Sequence, residues 1–157
     1  YAICACLVGS EMCIRDRPHR LQYLLTENGV RYYNDSKATD IEATQTALDS
    51  FHEPTIWLAG GLDRGDDLTR LIPNLSHVKL VIAFGETQQK VVAIARQAHK
   101  PVITVTSVKE AVPVAISSSS AGDVVLLSPA AASWDQYPNF EVRGDEFVNE
   151  LKENLGV

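Results

Sequence analysis

Two polar loops carry most of the side chains in this sequence that could bind a small ligand. The first polar loop, residues 34–39, reads Asn-Asp-Ser-Lys-Ala-Thr and lies between a strand pattern and a helix pattern. The second polar loop, residues 128–136, reads Ser-Pro-Ala-Ala-Ala-Ser-Trp-Asp-Gln and also follows a strand pattern. Open α/β sheets bind ligands at the carboxyl ends of their strands, and helix N-termini favour anions. The two loops therefore predict an anionic ligand at one edge of a parallel sheet.

The elements around these loops alternate between strands and helices. Asn28-Gly29 separates two apolar runs, 21–26 and 30–33, which predicts a β-hairpin. Apolar runs predict further strands at 55–59, 78–84, 102–105 and 123–127. Helical spacing of apolar residues predicts five helices: one after residue 39, one near 67–72, one at 87–99, one after residue 107 and one at 144–155. We therefore expect an α/β fold: a Rossmann-like, mostly parallel sheet with helices on both faces and the N-terminal hairpin as an antiparallel edge.

Two of the helix starts carry a capping pattern. Thr39 with Glu42 predicts that Thr39 caps the first helix, and Ser107 with Glu110 predicts a second capping box. Pro113 lies inside the helix that follows Ser107, which predicts that this helix is short or bent.

Composition limits the function classes. The net charge of −6 with scattered basic residues shows no nucleic-acid footprint. All three cysteines and the one methionine lie within the first 13 residues, and the cysteine spacing does not fit a zinc site.

Residues 10–17 resemble translated sequencing-adapter read-through, so we expect residues 1–17 to be non-native or disordered and residues 18–157 to form the domain. A body without cysteine fits a reducing cytoplasm.

Several other chemistries are less well supported. The arginine loop, residues 60–65 (Gly-Gly-Leu-Asp-Arg-Gly), lacks the ending of a Walker loop and the glycine spacing of a dinucleotide fold, although Arg64 could reach a carboxylate. Asp35 lacks the neighbouring acidic residues of a phospho-acceptor site. Ser128 and Ser133 lack a Gly-x-Ser-x-Gly elbow, and the four histidines lie outside the two polar loops, which disfavours a serine hydrolase.

Taken in order, the motifs resemble the C-terminal domain of the Mur ligases. They are Pro-His-Arg at 18–20, Asn-Gly-Val at 28–30, the first polar loop, Gly-Gly-Leu-Asp-Arg at 60–64, the second polar loop, Asn-Phe at 139–140 and Arg-Gly at 143–144. The resemblance covers residues 18–157. The second polar loop is most similar to that of the branch that adds D-glutamate to UDP-N-acetylmuramoyl-L-alanine in peptidoglycan synthesis.

The resemblance implies an ATP-dependent, amide-forming ligase. In the family, a substrate carboxylate takes the γ-phosphoryl group of ATP, and the amine of the incoming amino acid then displaces phosphate. Carried over by motif, Arg20 and Asp35 contact ATP, with Asp35 positioned for the ribose hydroxyls. Lys37 is the candidate catalytic residue, near the phosphates or the incoming substrate.

The resemblance also implies a binding site for D-glutamate. Thr39 and Arg64 hold its α-carboxylate, while Ser133 and the backbone N–H of Phe140 hold its side-chain carboxylate. Cations, hydroxyls and helix-end N–H groups suit a ligand with two carboxylates. Some family members have lysine where Arg64 stands, which keeps the charge but changes the donor geometry.

The sequence has no Walker loop, no magnesium ligands and no UDP-sugar domain, which other domains supply in the family. We therefore expect this chain to be a fragment that is inactive alone, with Mg²⁺ bound mainly elsewhere. We also expect a cytoplasmic monomer without nucleic-acid or membrane partners, acting in cell-wall biogenesis and so in cell shape and division. Two alternatives remain open: the same domain of another Mur ligase or of a folylpolyglutamate synthase, or a non-catalytic Rossmann-like binding module.

Overall fold

One mixed sheet organises the part of the chain that the structure, a computed structural model, describes, which is residues 18–157. The prediction for residues 1–17 lies outside this range. The elements in chain order are β1 (Gln22–Glu27), β2 (Val30–Asn34), α1 (Ile41–Asp49), β3 (Thr55–Gly60), a 3-10 helix (Leu68–Leu75), β4 (Val78–Phe84), α2 (Gln88–Gln97), β5 (Val102–Thr104), α3 (Val108–Ser118), β6 (Val124–Leu127) and α4 (Phe140–Leu155). Within residues 18–157, none of the helices is long and apolar enough to cross a membrane.

The six strands are ordered β1-β2-β6-β3-β4-β5. Strands β1 and β2 pair antiparallel, and the other neighbouring pairs are parallel, so the predicted fold is confirmed. Strand β6, the last along the chain, lies between β2 and β3, and Leu127 at its end pairs with Asn34 on one side and with Leu58 on the other. The loops that follow β2, β3 and β6 therefore leave the sheet side by side.

The N-terminal hairpin forms where the sequence predicts it. Asn28 and Gly29 both have positive φ angles, of 53° and 78°, and Glu27 pairs with Val30 across the turn. Two consecutive left-handed residues give a turn whose twist matches that of paired strands, and Asn-Gly adopts it at low cost.

Apolar side chains cover both faces of the sheet. The side chains of β3 alternate between the faces, so that Trp57 packs with α1, α2 and the 3-10 helix while Ile56 and Leu58 pack with α3 and α4. All six residues of β3 are buried, as expected for a central parallel strand. The core thus holds β3 and β6 rigidly, and the loops at their carboxyl ends start from fixed positions.

The start of α1 differs from the prediction. Asp40, and not Thr39, is the N-cap: its backbone is extended, and its Oδ1 accepts a hydrogen bond from the N–H of Ala43 at 2.8 Å. Both residue types cap helices well, but only the side chain of Asp40 is placed to reach that N–H group. The capping prediction for Thr39 is therefore wrong, which leaves its hydroxyl available for another role.

Two other helices differ in detail. Ser107 is the N-cap of α3 but makes no side-chain capping bond, and Glu110 accepts from the N–H of Thr106 rather than from Ser107. Helix α3 continues to Ser118 past Pro113, so the proline does not shorten it. Helix α4 begins at Phe140 rather than at 144, because the Asn139 side chain caps it by accepting from the N–H of Val142 at 2.8 Å.

Candidate functional site

Backbone hydrogen bonds join the two polar loops and the arginine loop into one surface. The N–H of Ala130 in the second polar loop donates to the carbonyl of Ala38 in the first, at 3.0 Å. The N–H of Leu62 in the arginine loop donates to the carbonyl of Ala132 in the second polar loop, at 2.8 Å. The predicted convergence of the polar loops at the carboxyl edge of the sheet is thus present, with the second polar loop in the middle.

Asp35 lies at the base of this surface and is buried. Its Oδ1 accepts from the N–H of Leu21 at 2.8 Å, and its Oδ2 accepts from the hydroxyl of Ser128 at 2.9 Å. Burial raises the pKa of this carboxyl to about 6, although these two hydrogen bonds and the charge of Arg20 act in the opposite direction. Asp35 therefore links the segment after Arg20 to the start of the second polar loop.

Ser128 is anchored on several sides. Its carbonyl accepts from the indole N–H of the buried Trp57 at 2.7 Å, and its hydroxyl lies 3.0 Å from that of Thr44 on α1. A serine whose hydroxyl is buried against a carboxylate and a second hydroxyl is held in place as part of the scaffold. This arrangement agrees with the sequence argument against a serine nucleophile.

Thr39 and Arg64, both predicted to hold one carboxylate, are adjacent. Nη2 of Arg64 donates to the backbone carbonyl of Thr39 at 2.7 Å, across 25 positions of sequence. Arg64 and Lys37 are exposed, and the N–H of Lys37 donates to the carbonyl of His19 at 2.8 Å. This side of the surface therefore offers two cations and a hydroxyl to an anion.

Ser133 and Phe140, predicted to hold the other carboxylate, lie in the second polar loop and at the first position of α4. Ser133 is buried, and its carbonyl accepts from the N–H of Tyr137 at 2.8 Å in a turn that leads toward α4. The first N–H groups of a helix have no partner within it and carry partial positive charge. The start of α4 therefore presents donors suited to an anion.

His19 and Arg143 belong to this region although sequence reasoning assigned neither of them a role. His19 lies outside the two polar loops in the sequence, but its Nδ1 lies 3.0 Å from the side-chain nitrogen of Asn34 in the first polar loop, and its ring packs edge-on against Phe140. Arg143 is fully buried and donates to Ser36. The Pro-His-Arg motif contains His19, and the Arg-Gly motif contains Arg143. Membership of these motifs was the sequence signal that could have identified both residues.

Three of the five described residues other than glycine that have left-handed backbone lie near the site. His19 and Leu21 have φ angles of 65° and 44° on either side of Arg20, and Ala130 has a φ angle of 59° in the second polar loop. Such conformations cost free energy and are commonly retained where a loop must present ligand-binding groups.

An open cleft of about 380 Å³ is lined by the end of the second polar loop, Asp135 and Gln136, together with the segments that follow β4 and β5. Its lining includes two carboxylates, Glu86 and Asp135, and burial raises the pKa of Asp135. None of the predicted site residues lines this cleft, and its carboxylates disfavour an anion. Among residues 18–157 no group of three or more potential metal-ligating side chains is placed to hold a metal ion.

Comparison with known proteins agrees with the sequence motifs. The family described as Mur ligase, glutamate ligase domain matches residues 19–131. A UDP-N-acetylmuramoylalanine–D-glutamate ligase of Leuconostoc mesenteroides is 72% identical over 137 residues, which cover 87% of this chain and 30% of the relative. The ligase of the same name from Lacticaseibacillus paracasei is 56% identical over 138 residues, or 85% of this chain. This chain thus spans about 30% of the length of these relatives.

Solved structures share the fold at much lower sequence identity. The UDP-N-acetylmuramate-alanine ligase MurC of Thermotoga maritima aligns with 89% of this chain and 31% of its own, at a TM-score of 0.62 and 14% identity. The MurF ligase of Thermotoga maritima, solved in complex with ADP, aligns with 90% of this chain and 32% of its own, at a TM-score of 0.57 and 16% identity. With the family match over residues 19–131, these findings show that the chain belongs to the Mur ligase, glutamate ligase domain family.

Proposed function

We propose that this chain forms the C-terminal, amino-acid-binding domain of an ATP-dependent ligase that adds D-glutamate to UDP-N-acetylmuramoyl-L-alanine. The observation that carries the proposal is the contact between Arg64 and Thr39 at 2.7 Å, on a surface that also holds Ser133 and the start of α4. One edge of the sheet thereby offers donors for two carboxylates. The 72% identity to a ligase of this name supports the choice of D-glutamate.

The proposed reaction has two steps. A carboxylate oxygen of the UDP-sugar peptide attacks the γ-phosphorus of ATP, the bond to the β-phosphate oxygen breaks, and ADP leaves. The amine nitrogen of D-glutamate then attacks the acyl carbon, the bond from carbon to the phosphate oxygen breaks, and the nitrogen loses a proton to solvent or a nearby base. The products are the amide, ADP and inorganic phosphate.

The proposed task of this domain is to hold D-glutamate so that its amine faces the acyl phosphate. Arg64 and Thr39 bind the α-carboxylate, and Ser133 with the N–H of Phe140 binds the side-chain carboxylate. Holding both ends restricts the rotation of the amino acid, and orientation of this kind lowers the barrier to amide formation. Charge-assisted hydrogen bonds at each end supply the binding energy.

The remaining assignments concern ATP and catalysis. Arg20 is exposed and lies beside the first polar loop, where its charge can reach a nucleotide phosphate. Asp35 has both carboxylate oxygens engaged inside the protein, so a ribose contact would use the lone pairs that remain. Lys37 is exposed and would stabilise negative charge on the transferring phosphoryl group.

We further propose that residues 18–157 are one domain, that residues 1–17 are not part of it, and that the enzyme is a cytoplasmic monomer using ATP with Mg²⁺. The Walker loop and most magnesium ligands would come from the remainder of a full-length ligase. Closure of this domain onto that remainder would exclude water from the acyl phosphate.

The test is phosphate release by the complete reading frame that carries this domain, with UDP-N-acetylmuramoyl-L-alanine and ATP present. We expect release to require D-glutamate and not to occur with L-glutamate. Arg64→Ala should raise the KM for D-glutamate by about 10- to 100-fold, as expected for loss of a charged hydrogen-bonding partner. Arg70→Ala is the matched control, because Arg70 is also exposed but its guanidinium pairs with Glu42 on α1 rather than with a residue of the polar loops. Turnover that does not depend on D-glutamate, or an unchanged KM in Arg64→Ala, would contradict the proposal.

A further inference from the structure

The guanidinium of Arg143 lies at the junction of the three loops that form the candidate site. Arg143 projects from the first turn of α4 and is 0% exposed. Its Nε donates to the hydroxyl of Ser36 at 3.0 Å, and its Nη2 donates to the carbonyl of Ser36 at 2.8 Å. A Cβ on Gly61 in the arginine loop would lie 3.1 Å from its Nη1, and the charge of Asp135 in the second polar loop acts on it.

Burying the charged side chain of an arginine at this position costs free energy, and a functional role for Arg143 would account for its presence. Burial lowers the pKa of Arg143 to about 10, against the attraction of Asp135. Within residues 18–157, Nη1 is buried and has no hydrogen-bond partner. Buried donors are nearly always paired in folded proteins, and a buried cation is costly when its hydrogen bonds are incomplete. The stability of the core therefore does not explain why an arginine stands here.

Ser36 connects Arg143 to the start of α4 through hydrogen bonds. The Ser36 hydroxyl accepts from Arg143 and donates to the carbonyl of Phe140 at 2.7 Å, and Ser36 is fully buried. Phe140 carries the N–H proposed for one carboxylate, while Thr39, three residues after Ser36, contacts Arg64 at the other end. The Arg143–Ser36–Phe140 chain therefore ties the first polar loop, which ends at Thr39, to the start of α4.

Glycines let the loops approach closely enough for this arrangement. A Cβ on Gly61 would lie 2.3 Å from the carbonyl of Ala132, so a side chain there would push the arginine loop away from the second polar loop. A Cβ on Gly144 would lie 2.2 Å from Nδ1 of His19, which packs beside Asn34. Gly61 therefore allows the arginine loop and the second polar loop to lie in contact, and Gly144 allows α4 to lie against His19.

We propose that Arg143 is a positioning residue that sets the separation of the two carboxylate subsites, and thereby the length of dicarboxylic amino acid that the ligase accepts. The inference rests on the proposed function. It adds a determinant of specificity that does not itself touch the amino acid.

The test compares D-aspartate, D-glutamate and D-2-aminoadipate, which differ by one methylene each, in the complete ligase. A rigid pair of subsites should favour D-glutamate over its neighbours by about 10- to 200-fold per methylene in kcat/KM. Arg143→Lys keeps the charge, but lysine lacks the planar guanidinium that lets Arg143 donate to the hydroxyl and the carbonyl of Ser36 at the same time. We expect it to reduce the preference for D-glutamate over D-aspartate by roughly tenfold, mainly through KM.

Two further variants separate positioning from general stability. Ser36→Ala removes the link between Arg143 and Phe140 without a change of charge, and it should reduce the preference in the same direction even if Arg143→Lys does not fold. Arg96→Lys, the same substitution at an exposed site on α2, should leave the preference unchanged.

Equal loss of kcat/KM for D-glutamate and D-aspartate in folded Ser36→Ala and Arg143→Lys would overturn the inference, since it would show a merely structural role. Failure of the unsubstituted ligase to turn over with D-glutamate would instead overturn the proposed function, and this inference with it.

Discussion

Replacing Asp35 with asparagine should stabilise this chain at neutral pH. The carboxylate of Asp35 is buried, and among the described hydrogen bonds it accepts only from the N–H of Leu21 and the hydroxyl of Ser128. Asparagine has the same shape, can still accept from Leu21, and can donate to Ser128. The Ser128 hydroxyl can then turn its proton toward Thr44, whose oxygen lies 3.0 Å away. The substitution therefore removes a buried charge while each of the two terminal side-chain atoms keeps a hydrogen-bond partner.

The size of the effect follows from the pKa of Asp35, which burial raises from 3.8 to about 6. Below pH 3.8 the carboxyl is protonated in the folded and unfolded chains alike, so it adds no cost. Between pH 4 and 6 the folded chain retains a proton that the unfolded chain releases, so the free energy of unfolding falls as pH rises. Above pH 6 the full cost applies, about 3 kcal/mol.

The assay is urea denaturation of the chain at several pH values between 4 and 8, followed by tryptophan fluorescence, to which buried Trp57 and exposed Trp134 both contribute. We expect Asp35→Asn to match the unsubstituted chain near pH 4 and to be up to about 3 kcal/mol more stable at pH 7.5. Asp66→Asn is the control, because Asp66 is exposed and the substitution should change little at any pH. A variant that is less stable at pH 7.5, or a difference that does not change with pH, would refute the reasoning. A gain in stability would indicate that the carboxylate is retained for binding or catalysis.

Two more substitutions test local features of the fold by the same denaturation measurement. Asp40→Ala should cost about 1 kcal/mol because Asp40 caps α1, while Thr39→Ala should cost less than half as much. Equal costs would contradict the assignment of the cap. Gly144→Ala should cost about 1–3 kcal/mol, although alanine favours helices, because its Cβ would lie 2.2 Å from a ring atom of His19. A stabilised Gly144→Ala chain would show that His19 moves aside freely.

Local signals in the sequence predicted the elements of this fold well and the helix starts less well. The Asn28-Gly29 hairpin and the strand Val78–Phe84 agree with the structure, since turn chemistry and a continuous apolar run are properties of a few neighbouring residues. Thr39 and Asp40 are both good capping residues, and the side chain that captures a free N–H depends on the direction in which the loop enters the helix. That direction is set by the contacts of the first polar loop with the rest of the protein.

The sequence by itself determined the α/β fold, the placement of the polar loops at the carboxyl ends of strands, and the similarity to Mur ligases. Tertiary structure decided that β6 lies between β2 and β3, which brings both polar loops and the arginine loop together. It also decided that Arg143 is buried against Ser36, 107 positions away in the chain. Periodicity and turn residues report on backbone conformation over a few residues. Which strands become neighbours, and which side chain fills the space between distant loops, depends on the packing of the whole sheet and its helices.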